Sequence, residues 1–251
     1  MPKADEKLHS IMKEFVAIPD VHGESSWYDI ASHSLSQGKH VIFIGDYVDN
    51  RFVDPIDCYK NLLKIITFKK IHMDSVTLLL GNHDLAYVFN QYATSGFNPG
   101  LSLDYLKAFN ENWDLFDLAY GHQGKDKYTL FTHAGLTKSH YANIVWDITH
   151  ESSIRRFFKD EDWEALPLHE VLNRLKNDQN LLWEVGEIRK GHSLSGSTVW
   201  ADKSELKAEP FEGIDQVVGH TCEQGIEIAK VKNDTLYFID NWYHSPLMLT
   251  L

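Results

Sequence analysis

Apolar residues recur along this chain in two rhythms. EFVAIP (14–19), HVIFIG (40–45) and SVTLLLG (75–81) are continuous apolar and β-branched runs, the pattern of strands buried on both faces. Between them, SSWYDIASHSLSQG (25–38) sets Trp27, Ile30, Ala31 and Leu35 along one helix face, with serines as caps and Gly38 as a stop. DPIDCYKNLLKIITF (54–68) predicts a second helix, with Asp54 as N-cap and Pro55 at the first position, where proline is best tolerated. After the third run, Leu85, Val88, Phe89 and Tyr92 keep the i, i+3, i+4, i+7 spacing of another helix. Strands alternating with helices imply βαβ units and parallel pairing.

The second half changes character. YTLFTH (128–133) predicts a further strand, and residues from about 140 to 195 look mostly helical. Leu168, Val171, Leu172 and Leu175, after Pro167, make one clear amphipathic face there. IDQVVGH (214–220), GIEIAKV (225–231), TLYFID (235–240) and PLMLTL (246–251) then predict short strands joined by tight turns. They suggest an antiparallel or mixed sheet beside the first. No repeat, low-complexity tract or Gly/Ser-rich linker divides the chain. The expectation is one domain over 1–251, with a helical insertion at about 140–210 lying over one edge.

Polar residues crowd the carboxyl ends of the strands. The first run leads into Asp20, His22 and Gly23, the second into Gly45, Asp46 and Asp49, and the third into Gly81, Asn82, His83 and Asp84. The fourth ends on His133 before Ala134 and Gly135, and the fifth on Gly219 and His220. Ligands of open α/β sheets bind beyond these strand ends. Each case alone has a plain explanation: Asn82 and Asp84 suit a helix start, and Gly-Asp or Gly-Asn pairs suit turns. Five strand ends aiming Asp, His, Asp, Asn, His and His at one region would bury uncompensated polar groups side by side. Bound metal resolves that conflict.

Composition sharpens the picture. A formal charge of -12 disfavours nucleic acid and anionic membranes as partners. An acidic chain that handles phosphate needs concentrated local positive charge, and the arginines are only Arg51, Arg155, Arg156, Arg174 and Arg189. A metal centre would supply it. Cys58 and Cys222 stand far apart in no metal-binding spacing and read as reduced thiols. No window approaches the ~18 apolar residues of a membrane helix, and MPKADEKLHSIMKEF lacks a signal-peptide apolar region. A cytoplasmic protein is expected.

With no thiolate in the set, imidazole, carboxylate and amide oxygen suit Mn, Fe, Zn or Co. Six candidate ligands exceed one closed tetrahedral site. They match two ions sharing a bridging carboxylate and a bridging water, an arrangement suited to phosphoester hydrolysis.

DVHG, GDYVD, GNHD, HAG and GHT, in that order, resemble the motifs of the calcineurin-like metallophosphoesterases. Within them the chain is similar to the phosphoprotein-phosphatase branch. That branch holds serine/threonine protein phosphatases, including small bacterial and phage forms, and symmetrical diadenosine tetraphosphate hydrolases. The resemblance runs from about Phe15 to the end and is weakest over 140–210. It implies an α/β fold, a four-layer α/β/β/α sandwich with two mixed β-sheets, and two divalent metal ions, Mn2+ foremost. Carried onto this sequence, Asp20 and His22 would hold the first metal, Asp46 would bridge both, and Asn82, His133 and His220 would hold the second. His83 is then no ligand: paired with Asp49, it would be the general acid toward the leaving oxygen. Asp84 is left as a cap or a supporting partner.

The departures bear on substrate. The family pattern GD-x-x-D-R-G here reads GDYVDNRF, so Asn50 takes the arginine position and Arg51 follows one residue late. Arg51, and Arg189 in EIRKGHS, are the expected phosphate-binding residues. Arg155 and Arg156 read as helix-surface residues, and His192 and His244 as structural or exposed. Pro19 replaces a usual glycine, and GNHD in place of GNHE leans toward diadenosine tetraphosphate hydrolases and general metallophosphoesterases. IDNWYH replaces a DTG-like ending, so Asp240, Trp242 and Tyr243 either line a reshaped pocket or pack. The resemblance implies a serine/threonine phosphatase-like phosphomonoester hydrolase using metal-bound hydroxide for direct in-line attack on a phosphoprotein or small phosphoester. The alternatives are dinucleoside polyphosphate hydrolysis and an inactive phosphate-binding relative.

Overall fold

The computed structural model describes residues 13–91, 94–158 and 161–251, so Tyr92 lies outside the described residues. In chain order the strands are β1 (Glu14–Ile18), β2 (His40–Phe43), β3 (Val76–Leu79), β4 (Phe116–Asp117) and β5 (Ala119–Gln123). They continue as β6 (Tyr128–Thr132), β7 (Ile214–Val218), β8 (Glu227–Val231), β9 (Asp234–Phe238) and β10 (Leu247–Thr250). The first-half helices are α1 (Trp27–Ser36), α2 (Pro55–Ile71), α3 (Asn82–Val88) and α4 (Ser102–Glu111). The rest are α5 (Lys138–His150), α6 (Ser152–Arg155), α7 (Leu168–Arg174), α8 (Gln179–Leu182) and α9 (Lys203–Ala208).

One sheet has the order β10-β1-β2-β3-β4 and the other β5-β6-β7-β9-β8. In the first, β1 to β4 run parallel and β10 pairs antiparallel with β1. In the second, β6, β7 and β9 are parallel, with antiparallel β5 and β8 at the edges. Both sheets are mixed.

The period of two along each strand explains the layering. Phe15, Ala17, Ile42, Ile44 and Leu79 point between the sheets, against Phe131, Val217 and Ile239. Their neighbours Ile18, Val41, Phe43, Leu78 and Leu80 face the other way, onto Trp27, Leu62, Ile65 and Phe109 of the first-half helices. The second sheet is covered on its outer face by Ile144, Ile148, Val171, Leu172 and Leu181, and by Leu206 of α9. The result is a four-layer α/β/β/α sandwich. The helical stretch expected at an edge packs on the sheet face, because Val171, Leu172 and Leu175 need an apolar partner and Leu130 and Ile214 supply it.

Local chemistry sets the helix starts. Asp54 Oδ1 accepts the Ile56 N–H at 2.8 Å, with Pro55 at the first helical position. Ser26 makes no side-chain cap. Instead Trp27 Nε1 donates to Asn61 Oδ1 at 3.0 Å, locking α1 onto α2. Short β4 and β5 carry too few patterned residues to stand out in the sequence, whereas α4 buries Tyr105, Ala108 and Phe109 at helical spacing.

His40 is buried between the sheets, 2.9 Å from Thr77 Oγ1 and stacked on Tyr120. Burial, with the Lys13 and Lys69 cations nearby, pushes its imidazole down to about 4. The unfolded chain takes up that proton near ~6.5 and the folded protein only near the lower value. Stability present above ~6.5 is therefore lost as pH falls toward 4, by up to about 3 kcal/mol. In urea unfolding at pH 7 and pH 4.5, His40→Gln should lose about 2 kcal/mol less than the parent protein over the same interval.

Candidate metal centre

The carboxyl ends of β1, β2, β3, β6 and β7 meet where the two sheets face each other, and five motif residues converge there. Asp20, Asp46, Asn82 and His133 are buried, and His220 is half-buried. His133 Nε2 lies 3.0 Å from Asn82 Oδ1, 3.1 Å from His220 Nδ1 and 3.4 Å from Asp46 Oδ2. His22 Nε2 approaches the same oxygen, 3.7 Å from Asp46 Oδ2. Asp46 is thus shared by two donor groups: His22 and His83 in one, His133 and His220 in the other. Asp20 sits beside them, its carboxylate accepting the His220 N–H at 3.1 Å.

Backbone contacts orient the imidazoles. His22 Nδ1 lies 2.9 Å from the Val48 carbonyl and His133 Nδ1 3.0 Å from the Ile44 carbonyl, which fixes both tautomers and directs each Nε2 toward Asp46. His220 Nε2 is buried and has no hydrogen-bond partner. It is His220 Nδ1 that faces His133 Nε2, and imidazole and carboxylate donors crowded this closely suit a divalent cation. The donor set therefore fits divalent cations, with His22, Asp46 and His83 as one group of candidate ligands and Asp46, His133 and His220 as the other.

The electrostatics agree. Burial pushes the Asp20 carboxyl up, and Asp240 and Asp46 push it further. Burial alone would raise Asp46, yet the imidazoles of His133, His83 and His22 hold it well below the usual carboxylate range. His133 is raised to about 10 despite its burial, by the Asp46 and Asp20 charges. His220 goes the other way, held low by burial and by His133 and Arg189. Protons on imidazoles stand in for positive charge that the carboxylates demand.

Glycines make this proximity possible. A Cβ on Gly81 would lie 2.1 Å from Asp46 Oδ1, and one on Gly219 would lie 2.1 Å from Asp20 Oδ1. Asn82 is not the cap of α3 but its first residue, so its amide is free to face His133. Asp84 does the fastening: its oxygens accept the N–H groups of Gly81, Asp46 and Tyr47, each at 2.9 Å. Backbone strain concentrates here too, with positive φ at His22, Asp46, Asp49, His220 and His244.

His83 Nδ1 lies 2.9 Å from Asp49 Oδ2, and the His83 N–H donates to Asp46 Oδ1 at 3.0 Å. Asp49 is held in turn by the Tyr87 hydroxyl and by Thr94 Oγ1. Arg189 lines the cleft, with Nε on Asp202 Oδ2 at 2.9 Å and Nη2 on Thr221 Oγ1 at 2.6 Å. Arg51 is exposed and lines a shallow adjoining recess with Asn50, His83 and His244. Arg155 and Arg156 lie on the outer helical layer, where Arg155 caps the Thr149 carbonyl.

The cleft over these groups has a volume of about 640 Å³. His244, read from the sequence as structural or exposed, lines it and reaches the Asp20 carbonyl at 3.2 Å. Asp240, Trp200, Cys222 and Phe52 line it as well. Of these only Asp240 carried a sequence signal, at the end of TLYFID. A larger groove of about 800 Å³ between α1 and α2 holds no comparable cluster of polar groups. Among the described residues no helix is long and apolar enough to cross a membrane.

The model of the calcineurin-like phosphoesterase family matches residues 13–224. No curated protein matches the sequence. In fold, the chain is similar to the cold-active protein-tyrosine phosphatase of a psychrophile, Shewanella sp., at 16% identity and a TM-score of 0.54. The match covers 95% of this chain and 75% of that one. A point mutant of a cold-active protein tyrosine phosphatase matches with the same values. At that identity the likeness is one of fold. The converging strand ends and the family match give one answer: this chain belongs to the calcineurin-like phosphoesterases, metal-dependent hydrolases of phosphoric esters.

Proposed function

We propose that the chain is a dinuclear phosphomonoesterase with serine/threonine phosphatase-like catalytic equipment, acting on a phosphorylated side chain or a small phosphoester. The observation that carries this is Asp46, one buried carboxylate shared between two imidazole sets. Two bound divalent ions, Mn2+ foremost, supply the charge that binds phosphate oxygens and lowers the pKa of bound water. The chain's own residues supply the rest. Asp49, gripped by Tyr87 and Thr94, holds His83 through Nδ1. That pairing orients the imidazole to deliver a proton to the departing alkoxide oxygen. Arg189, fixed by Asp202 and Thr221, presents a guanidinium edge to phosphate. Arg51, on its exposed loop, is the weaker candidate for the same work.

Three measurements test this reading. Metal-stripped protein reloaded with Mn2+ should hydrolyse a small aryl phosphate, and Asp46→Asn should abolish turnover by removing the shared ligand. Absence of turnover with any divalent metal would sink the proposal and favour a phosphate-binding role. For the acid, His83→Asn should lower kcat by about 10²–10⁴-fold on an alkyl phosphate. The loss should shrink on p-nitrophenyl phosphate, whose leaving group needs no proton. An equal loss on both substrates would remove His83 from that role. Arg189→Ala should raise KM by about tenfold or more, the worth of one charge-assisted phosphate contact.

A further inference from the structure

Two large aromatic side chains stand open in the wall of the metal cleft. Phe52 is 97% exposed and Trp242 is 64% exposed, and both line the cleft above the metal ligands. Single exposed aromatics are ordinary. These two come from separate loops and face one cavity, and their backbones are tied to metal-ligand residues.

Asn50 makes the first tie. Its Oδ1 accepts the N–H groups of Phe52 at 2.7 Å and Val53 at 3.1 Å, while Nδ2 donates to the His22 carbonyl at 2.5 Å. Asn241, fully buried, makes the second. Its Nδ2 donates to the carbonyls of Ile239 and Ser245, and its Oδ1 accepts from the N–H groups of Tyr243 and Ser245. The Trp242 N–H donates to the Glu223 carbonyl at 3.0 Å, and His244 closes the loop onto the Asp20 carbonyl. The rings are therefore exposed while the turns that carry them are fixed. That combination lowers the ordering cost of gripping a ligand, as in binding surfaces built on rigid aromatic anchors.

The remaining walls limit what can lie between the rings. Among the described residues Arg189 is the one arginine lining the cleft, with no lysine, and Glu24 and Asp240 add negative charge. One phosphate is provided for; a chain of phosphates would meet carboxylates. We infer that Phe52 and Trp242 form a clamp for a flat ring on the leaving-group side of a monophosphate, the chemistry of an aryl phosphate such as a phosphorylated tyrosine. A nucleoside monophosphate presents a flat ring too, set off by its sugar. This rests on the phosphomonoesterase reading.

The test compares one peptide carrying phosphotyrosine with the same peptide carrying phosphoserine, and adds adenosine monophosphate, all with Mn2+-loaded protein. Aryl esters are intrinsically more reactive, so the readout is how each substitution changes the ratio of kcat/KM between substrates. Phe52→Ala and Trp242→Ala should each lower the phosphotyrosine-to-phosphoserine ratio by about tenfold, mostly through KM, and both sites are open enough that folding is untouched. A comparable fall in the nucleotide-to-phosphoserine ratio, with phosphotyrosine unmoved, would keep the clamp and assign its ring to a base. Turnover of all three with neither ratio moving by more than twofold would overturn the clamp and leave the phosphatase reading standing. No turnover of any would overturn that reading, and the clamp with it.

Discussion

Asp46 is a carboxylate buried where two sheets meet, and the architecture is organised around its charge. A lone buried carboxylate is costly enough that proteins neutralise or pair it. Here the pairing comes from every direction: His22 from the β1 end, His83 from α3, His133 from the β6 end. Packing that many polar groups together requires that the strand ends carry nothing larger than hydrogen at the contact points. Gly81 and Gly219 meet that requirement. Asp84 then locks the β2 and β3 loops in register through three N–H groups. Burial, with the Asp46 charge close by, pushes the Asp84 carboxyl upward, and the backbone donors pull it back.

The strain follows from the same constraint. A β-strand delivers its next residue in extended backbone, which would carry the side chains past each other. Left-handed backbone at His22, Asp46, Asp49 and His220 turns each ligand or acid back over the strand end. Each such residue costs about 1–3 kcal/mol where the surroundings do not compensate. The apolar layer between the sheets, from Phe15 to Ile239, and the Asp84 fastening are the compensation. The site is built on the strand ends of the buried layer between the sheets.

That placement also explains what was legible in the sequence. An acid, amide or imidazole at the end of an apolar run is a local signal, preceded by glycine at Asp46, Asn82 and His220, and it marked those three with Asp20 and His133 without knowledge of the fold. The first βαβ alternation was legible for the same reason: its strands are buried on both faces and read as unbroken apolar runs. β4 and β5 were not, since two- and five-residue strands with residues such as Gly121 and His122 carry little period. His244 was missed because its approach to Asp20 depends on the Asn241 turn, a tertiary contact across 224 positions. Phe52 escaped notice because an exposed aromatic in a loop has no pattern at all.

The change at the family's arginine position ties these points together. Asn50 stands where the resemblance expects a phosphate-binding cation, and Arg51 lines an adjoining recess that shares His22, Asn50 and His83 with the cleft. Asn50 has become a structural residue, joining the loop after Asp49 to the His22 carbonyl. The lost charge is partly restored by Arg189, which reaches the cleft from a loop beyond α8 and is held there by an acid, Asp202, that offsets some of its charge. On the proposed reading, the phosphate site carries less fixed positive charge than the motif pattern implies, and anion binding leans more heavily on bound metal ions. A chain at -12 overall leans the same way: its own field disfavours highly anionic ligands unless bound cations offset it.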